Sequence, residues 1–228
     1  MAKDLFTELG KLKKNILYLG SMVEENVRQA VKAFTENDVD LAKKIESHDD
    51  EVDRTEIKVE EHCLKILALH QPVAGDLRFV VTVLKINNDL ERIGDLAVKI
   101  AKKVIISNRS DTIRFLANRQ SIPEEFNKMF DRTIWILTKA IDAFVNEDAD
   151  LAYKVCIWDD EVDESKNKIR KELEELINKE PSQHIYLSML LSVSRSLERI
   201  ADHATNIAED VIYMLQGRIV RHDAEEFS

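Results

Sequence analysis

The sequence predicts an all-α protein of six long helices, arranged as two tandem three-helix bundles related by internal duplication. Five glycines and three prolines in 228 residues are too few for the turn-rich layout of a sandwich or barrel. Apolar residues recur at steps of three and four over long stretches, the period of an amphipathic helix. The stretch Leu197-Glu198-Arg199-Ile200-Ala201-Asp202-His203-Ala204 is a near copy of Leu90-Glu91-Arg92-Ile93-Gly94-Asp95-Leu96-Ala97, which stands 107 residues earlier.

The first stripe runs from Leu5 through Leu12, Leu19 and Val27 to Phe34 and gives helix one. Thr35-Glu36-Asn37-Asp38 breaks it and offers N-caps, and the stripe Leu41, Ile45, Val52, Val59, Ile66 carries helix two to about Leu69. Gln71-Pro72-Val73-Ala74-Gly75-Asp76 reads as a turn with Asp76 as the capping residue, followed by helix three with Val83, Ile86, Leu90, Ile93, Ala97, Ile100 and Val104. The pattern weakens after Ser107 until Ser121-Ile122-Pro123, where Ser121 can cap and Pro123 can start helix four, with Phe126, Phe130, Leu137 and Phe144 on its apolar face. Helix five carries Leu151, Val155, Val162, Ile169 and Leu176. The turn at Pro181 leads to helix six, with Leu190 to Val211, and Gly217 is its natural stop. The units are therefore a first bundle at 1–108, a linker at 109–122, a second bundle at 123–217 and a loose C-terminal tail at 218–228. Short connections make consecutive helices antiparallel neighbours.

A formal charge of −10 argues against nucleic acid as a partner and favours cations or basic surfaces. The two cysteines, Cys63 and Cys156, fall at unrelated points of the repeat and read as reduced structural thiols. No apolar run approaches the ~18 residues of a membrane span, and the N-terminus lacks the apolar region of a secretory signal. The expectation is a soluble, cytoplasmic protein without a membrane span, with peripheral association left open.

The chemistry lies in repeated carboxylates. Asp49 and Asp53 are an i,i+4 pair on helix two, and Glu91 and Asp95 are another on helix three; Asp159 and Asp163 with Glu198 and Asp202 repeat the arrangement. The midpoint between the first two pairs is Pro72, and between the second two it falls beside Pro181. Antiparallel helices rising equally from those turns bring the pairs level, so four carboxylates converge twice. Like charges at i,i+4 destabilise by roughly 0.2–0.5 kcal/mol each, and stacking two pairs adds to that. Three readings follow: a solvated acidic face, neutralisation by Arg92 and Arg199, or a site for a hard cation. Duplication of the pairs and their level placement weigh toward the cation. With Leu90 at heptad position a, Glu91 and Asp95 fall off the dry seam on an outer flank, unlike the core ligands of carboxylate-bridged iron oxidases. No Glu-x-x-His stands here. His203 adjoins Asp202 but is replaced by Leu96 in the first unit, and both it and His48 read as exposed histidines.

Gln71-Pro72-Val73-Ala74-x-Asp76-Leu77-Arg78, Asp89-Leu90-Glu91-Arg92-Ile93-Gly94-Asp95 and Leu197-Glu198-Arg199-Ile200-Ala201-Asp202-His203-Ala204-x-Asn206-Ile207-Ala208-Glu209 together resemble the PhoU family over nearly the whole chain. The resemblance implies two three-helix bundles related by a pseudo-twofold, with metal on the bundle surface at the two four-carboxylate sets named above. The metal would be iron, zinc, manganese, magnesium or calcium. It further implies a non-enzymatic negative regulator of the phosphate-starvation response, a homodimer that links a phosphate ABC transporter ATPase to a sensor histidine kinase. Arg92, Arg199 and Asn206 are accessory candidates. Asn206 replaces Lys99 of the first unit, and the second unit lacks the Ala-Gly-Asp-Leu-Arg segment after its turn proline, so the two sites are expected to differ in affinity or metal count. The alternatives are a metal-dependent enzyme or iron store using the same carboxylates, and a plain docking face for a basic partner.

Overall fold

The computed structural model describes residues 2–109 and 122–220, and these contain six long α-helices and no strand. They are α1 Ala2–Glu36, α2 Val39–His70, α3 Ala74–Asn108, α4 Glu124–Asn146, α5 Ala149–Lys179 and α6 His184–Gln216, with a short 3₁₀ turn at Pro181–Gln183. Linker residues 110–121, including the capping candidate Ser121, and tail residues 221–228 lie outside the described residues.

The local rules act twice. Asp38 and Asp148 each accept a hydrogen bond from the backbone N–H three residues on, Leu41 and Leu151, both at 2.9 Å, so α2 and α5 start from the same cap. Gly217, at φ 71°, closes α6 by donating its N–H to the Tyr213 carbonyl at 2.8 Å. The α3 start departs from expectation. Asp76 lies inside the first turn rather than capping it, and the N-cap is Val73, which makes no side-chain cap. Helix four begins one residue after Pro123, which occupies the N-cap position itself.

Helices α1–α3 pack together, as do α4–α6, and the halves join chiefly along α3 and α6, with α1 also touching α4. A single apolar cluster therefore contains residues of all six helices, among them Leu19, Val52, Ile93, Leu137, Ile169 and Ile200. Aromatic contacts cross between halves, Phe34 with Phe126 at 5.7 Å and Phe79 with Phe144 at 6.0 Å between ring centres. The α3–α6 seam is antiparallel: Arg78 donates to the Met214 carbonyl at 3.2 Å, Lys85 pairs with the buried Asp210 at 3.0 Å, and Asp89 meets His203 at 2.9 Å. Burying this seam leaves α2 and α5 as the outer helices of the two halves. The tail expected to be loose from residue 218 keeps one anchor, since Val220 is buried. Both cysteines are free, and burial pushes their thiols up to about 12. No described helix is long and apolar enough to cross a membrane.

Candidate functional site

The two acidic clusters sit beside the seams between α2 and α3 and between α5 and α6. Two contacts hold the first seam in register. The buried Asn87 of α3 donates through Nδ2 to the Glu56 carbonyl at 3.2 Å and to Glu56 Oε1 at 2.9 Å on α2. Gly94 lets the helices come close enough that a Cβ built there would stand 3.4 Å from Val52 Cγ1. This register sets Asp49 and Asp53 beside Glu91 and Asp95. In the second half the Lys166 ammonium of α5 binds Glu198 of α6 and lies 3.6 Å from Asp163.

The carboxylates feel one another across each seam. Burial, then Asp53 and Asp95, raises the Asp49 carboxyl above its usual range. Glu91 is raised by burial and by Asp95 and Asp53, with Arg92 opposing. Asp159 is pushed up to about 6 by burial and then by Asp202 and Asp163, with the Thr205 hydroxyl opposing. Asp202 is raised by burial, Glu198 and Asp163. The clusters are more recessed than a fully outward flank. Asp49, Glu91, Asp95, Asp159 and Glu198 are half-buried, while Asp53, Asp163 and Asp202 are exposed. The close approach at Gly94, repeated as Ala201, draws the flank position toward the neighbouring helix.

An all-oxygen donor set of this charge suits a hard cation. Among the described residues, however, no three His, Cys, Asp or Glu side chains close on a common point. Like charges with no cation between them stand apart, and here the chain's own cations take up some of them: Arg92 lies 3.5 Å from Glu91 and Lys99 3.9 Å from Asp95. The donor chemistry suits a cation, but no three of these donors are brought together on one point. Internal neutralisation is also real, though for Glu198 it comes from Lys166 and not from Arg199.

Two sequence readings change. His203 is not a free surface histidine: its ring Nδ1 lies 2.9 Å from Asp89 Oδ1, with only 20% of the side chain exposed. Asn206, an accessory candidate for the second cluster, donates instead to the same Asp89 oxygen at 3.4 Å. Both side chains are drawn to the seam between halves because α3 offers a recessed carboxylate there. His48 is exposed as expected, its Nδ1 lying 2.7 Å from the Lys44 carbonyl oxygen. Glu56 and Lys166 were missed. The signal available was Asn87, an amide interrupting the apolar stripe of α3 opposite Glu56.

A family model described as the PhoU domain matches residues 16–104 and again 126–211. The chain is 37% identical over 223 residues to the phosphate-specific transport system accessory protein PhoU homolog of Pseudomonas aeruginosa, covering 97% of this chain and 89% of that protein. The crystal structure of PhoU from Pseudomonas aeruginosa superposes with a TM-score of 0.84 at 34% identity, covering 93% of this chain and 99% of that one. That of the phosphate transport system regulatory protein PhoU from Streptococcus pneumoniae gives 0.84 at 28%, covering 95% and 99%.

Proposed function

Because the chain belongs to the PhoU family, we propose that it is an accessory protein of phosphate-specific transport that represses the phosphate-starvation response from the cytoplasm. On this reading it links the phosphate ABC transporter ATPase to a sensor histidine kinase, acts as a homodimer and holds metal ions at its two carboxylate clusters. The observation that carries the reading is the match of both repeats to one domain over nearly the whole chain. Bound metal would neutralise each cluster; Asp49, Asp53, Glu91 and Asp95 would hold it in the first half, and Asp159, Asp163, Glu198 and Asp202 in the second.

The physical layout supports a binding role over a catalytic one. The carboxylates lie along open seams, with three of the eight exposed, so water would not be excluded from a reacting centre. A strain lacking this chain and any paralogue should express its phosphate-starvation genes constitutively in high phosphate. Normal shut-off in that strain would overturn the proposal. Sustained consumption of oxygen or of a phosphoester by the purified protein, abolished by Glu91→Ala with Glu198→Ala, would instead support the enzyme or iron-store alternative.

A further inference from the structure

Away from the carboxylate clusters, one end of the molecule carries an open apolar groove of about 500 Å³. The first turns of α1, the start of α3 and the last turn of α6 converge there, so its walls are Phe6 and Leu9, Phe79, and Met214 and Leu215. Phe6 is 81% exposed, which leaves a large aromatic side chain in water at the edge of the groove. Two glycines, Gly10 of α1 and Gly75 of α3, also line it, and a Cβ built at either meets nothing within 4 Å. The other glycines inside helices, Gly20 and Gly94, each face a side chain at 3.4 Å, so the chain's own packing uses their bareness. At Gly10 and Gly75, helix stability is given up for space that no described residue fills.

We propose that the occupant of this groove is the chain's own segment 221–228, Arg221-His222-Asp223-Ala224-Glu225-Glu226-Phe227-Ser228, with Phe227 as its anchor. The described chain delivers the segment to the site. Gly217, at φ 71°, ends α6 beside Arg78, whose Nη1 lies 3.9 Å from the position of a Gly217 Cβ, and Arg78 follows the groove residue Asp76 and precedes the groove residue Phe79. Beyond Val220, the seven residues to Phe227 reach at most about 25 Å, whereas the α1 wall from Phe6 to Lys13 is only about 10 Å long. A tether this short holds the segment at an effective concentration of roughly millimolar, so one aromatic anchor suffices.

The chemistry of the segment matches the walls. Phe227 is its one large apolar side chain, and the rings of Phe6 and Phe79 offer the tilted and offset contacts that aromatic groups favour. Asp223, Glu225 and Glu226 against Arg221 give the segment a formal charge of −2, with His222 neutral. The α1 wall from Phe6 to Lys14 carries the opposite charge, +2, from Lys11, Lys13 and Lys14 against Glu8. Asp76 and Glu147 line the groove as well, and Glu147 pairs with Lys13 at 2.9 Å, so the acidic residues before Phe227 lie toward α1 and away from Asp76. Docked in this way, the segment covers Phe6 and the bare backbone at Gly10 and Gly75. Its release presents an apolar surface at this end of the bundle.

The test is photocross-linking of the full chain with p-benzoylphenylalanine in place of Phe227. An adduct within one chain, to the peptides that hold Phe6 or Met214, is expected, and Gly10→Leu, which fills the groove, should abolish it. Protection of the native segment is the second measurement. Cleavage after Glu225 and Glu226 by a glutamate-specific protease, followed by intact mass, should be about tenfold faster in Gly10→Leu, whose segment is unchanged. Circular dichroism and the thermal midpoint establish that the variant folds, and Gly75→Leu fills the groove from α3 if it does not. An adduct joining isotopically distinct copies would assign the segment to a second copy and overturn the inference. So would an adduct elsewhere on the chain, no adduct at all, or equal cleavage of the parent and the folded leucine variant.

Discussion

Asp89 on α3 and His203 on α6 meet at 2.9 Å across the seam between the two halves, and the duplication supplies no second copy of the pair. The repeat equivalents are Ser196, whose hydroxyl turns back to the Ser192 carbonyl at 3.2 Å, and Leu96, which is buried. One side of the pseudo-twofold thus carries a carboxylate–imidazole pair and the other a serine and a buried leucine. Asp89→Ala removes the acceptor shared by His203 and Asn206 and should cost about 1–2 kcal/mol in urea unfolding. Asp89→Ser combined with His203→Leu copies the Ser196 and Leu96 side. Its cost should be smaller than the sum of the two single changes, a coupling measurable in a double-mutant cycle.

Removing divalent cations should expose the repulsion within the clusters as a pH dependence of stability. Asp159 ionises near 6 in the folded chain and near its ordinary 3.8 when unfolded, so between these values the folded state binds the extra proton. Stability should therefore rise as the pH is lowered from about 6.5 to 4.5, and Asp49, Glu56, Glu91 and Asp202 shift in the same direction. Solvent screening at this half-buried group limits the contribution of Asp159 to about 1 kcal/mol. Glu8, lowered to about 2 by hydrogen bonds from Lys11 and His62, acts oppositely, but its contribution is lost only as the pH falls below about 4.5. Thermal midpoints in EDTA across this range, with Asp159→Asn flattening the slope, check the sign.

Adding a cation should reverse the cost that acid relieves. At neutral pH, Mn²⁺ at 100 times its dissociation constant should stabilise the folded protein by about 2.7 kcal/mol per site. The resulting shift in thermal midpoint should be reduced in Asp95→Ala or Asp202→Ala and absent when both are combined.

Gly94 reports how closely α2 and α3 approach. A Cβ there meets Val52 at an ordinary 3.4 Å and Val23 at 3.9 Å, so Gly94→Ala should be accommodated and should gain up to about 1 kcal/mol of helix propensity. Gly94→Val adds branches with no space behind them and should cost about 1–3 kcal/mol. Opposite signs of the change in urea midpoint are the diagnostic result.

The paired caps offer a measure of independence between halves. Asp38→Ala and Asp148→Ala each remove one N-cap bond and should each cost about 1 kcal/mol. They stand on different halves and share no partner, so the double variant should show the sum in chemical unfolding.

The sequence by itself determined the helices and their repeat, because an apolar period of three to four over thirty residues has no other regular solution, and the turns at Asp38, Pro72, Asp148 and Pro181 are local chemistry. It also placed the acidic pairs level, since antiparallel helices of equal rise leave no freedom once the turn is located. What it could not supply depends on contacts between elements distant in the chain. The fusion of both bundles into one core along α3 and α6, the capture of His203 and Asn206 by Asp89, and the seating of Lys166 on Glu198 each require the crossing of two particular helices. A periodic pattern says which face of a helix is dry. Only the packed structure decides which charged groups along the edge of that face are brought within reach of one another, and by which counter-ion each is met.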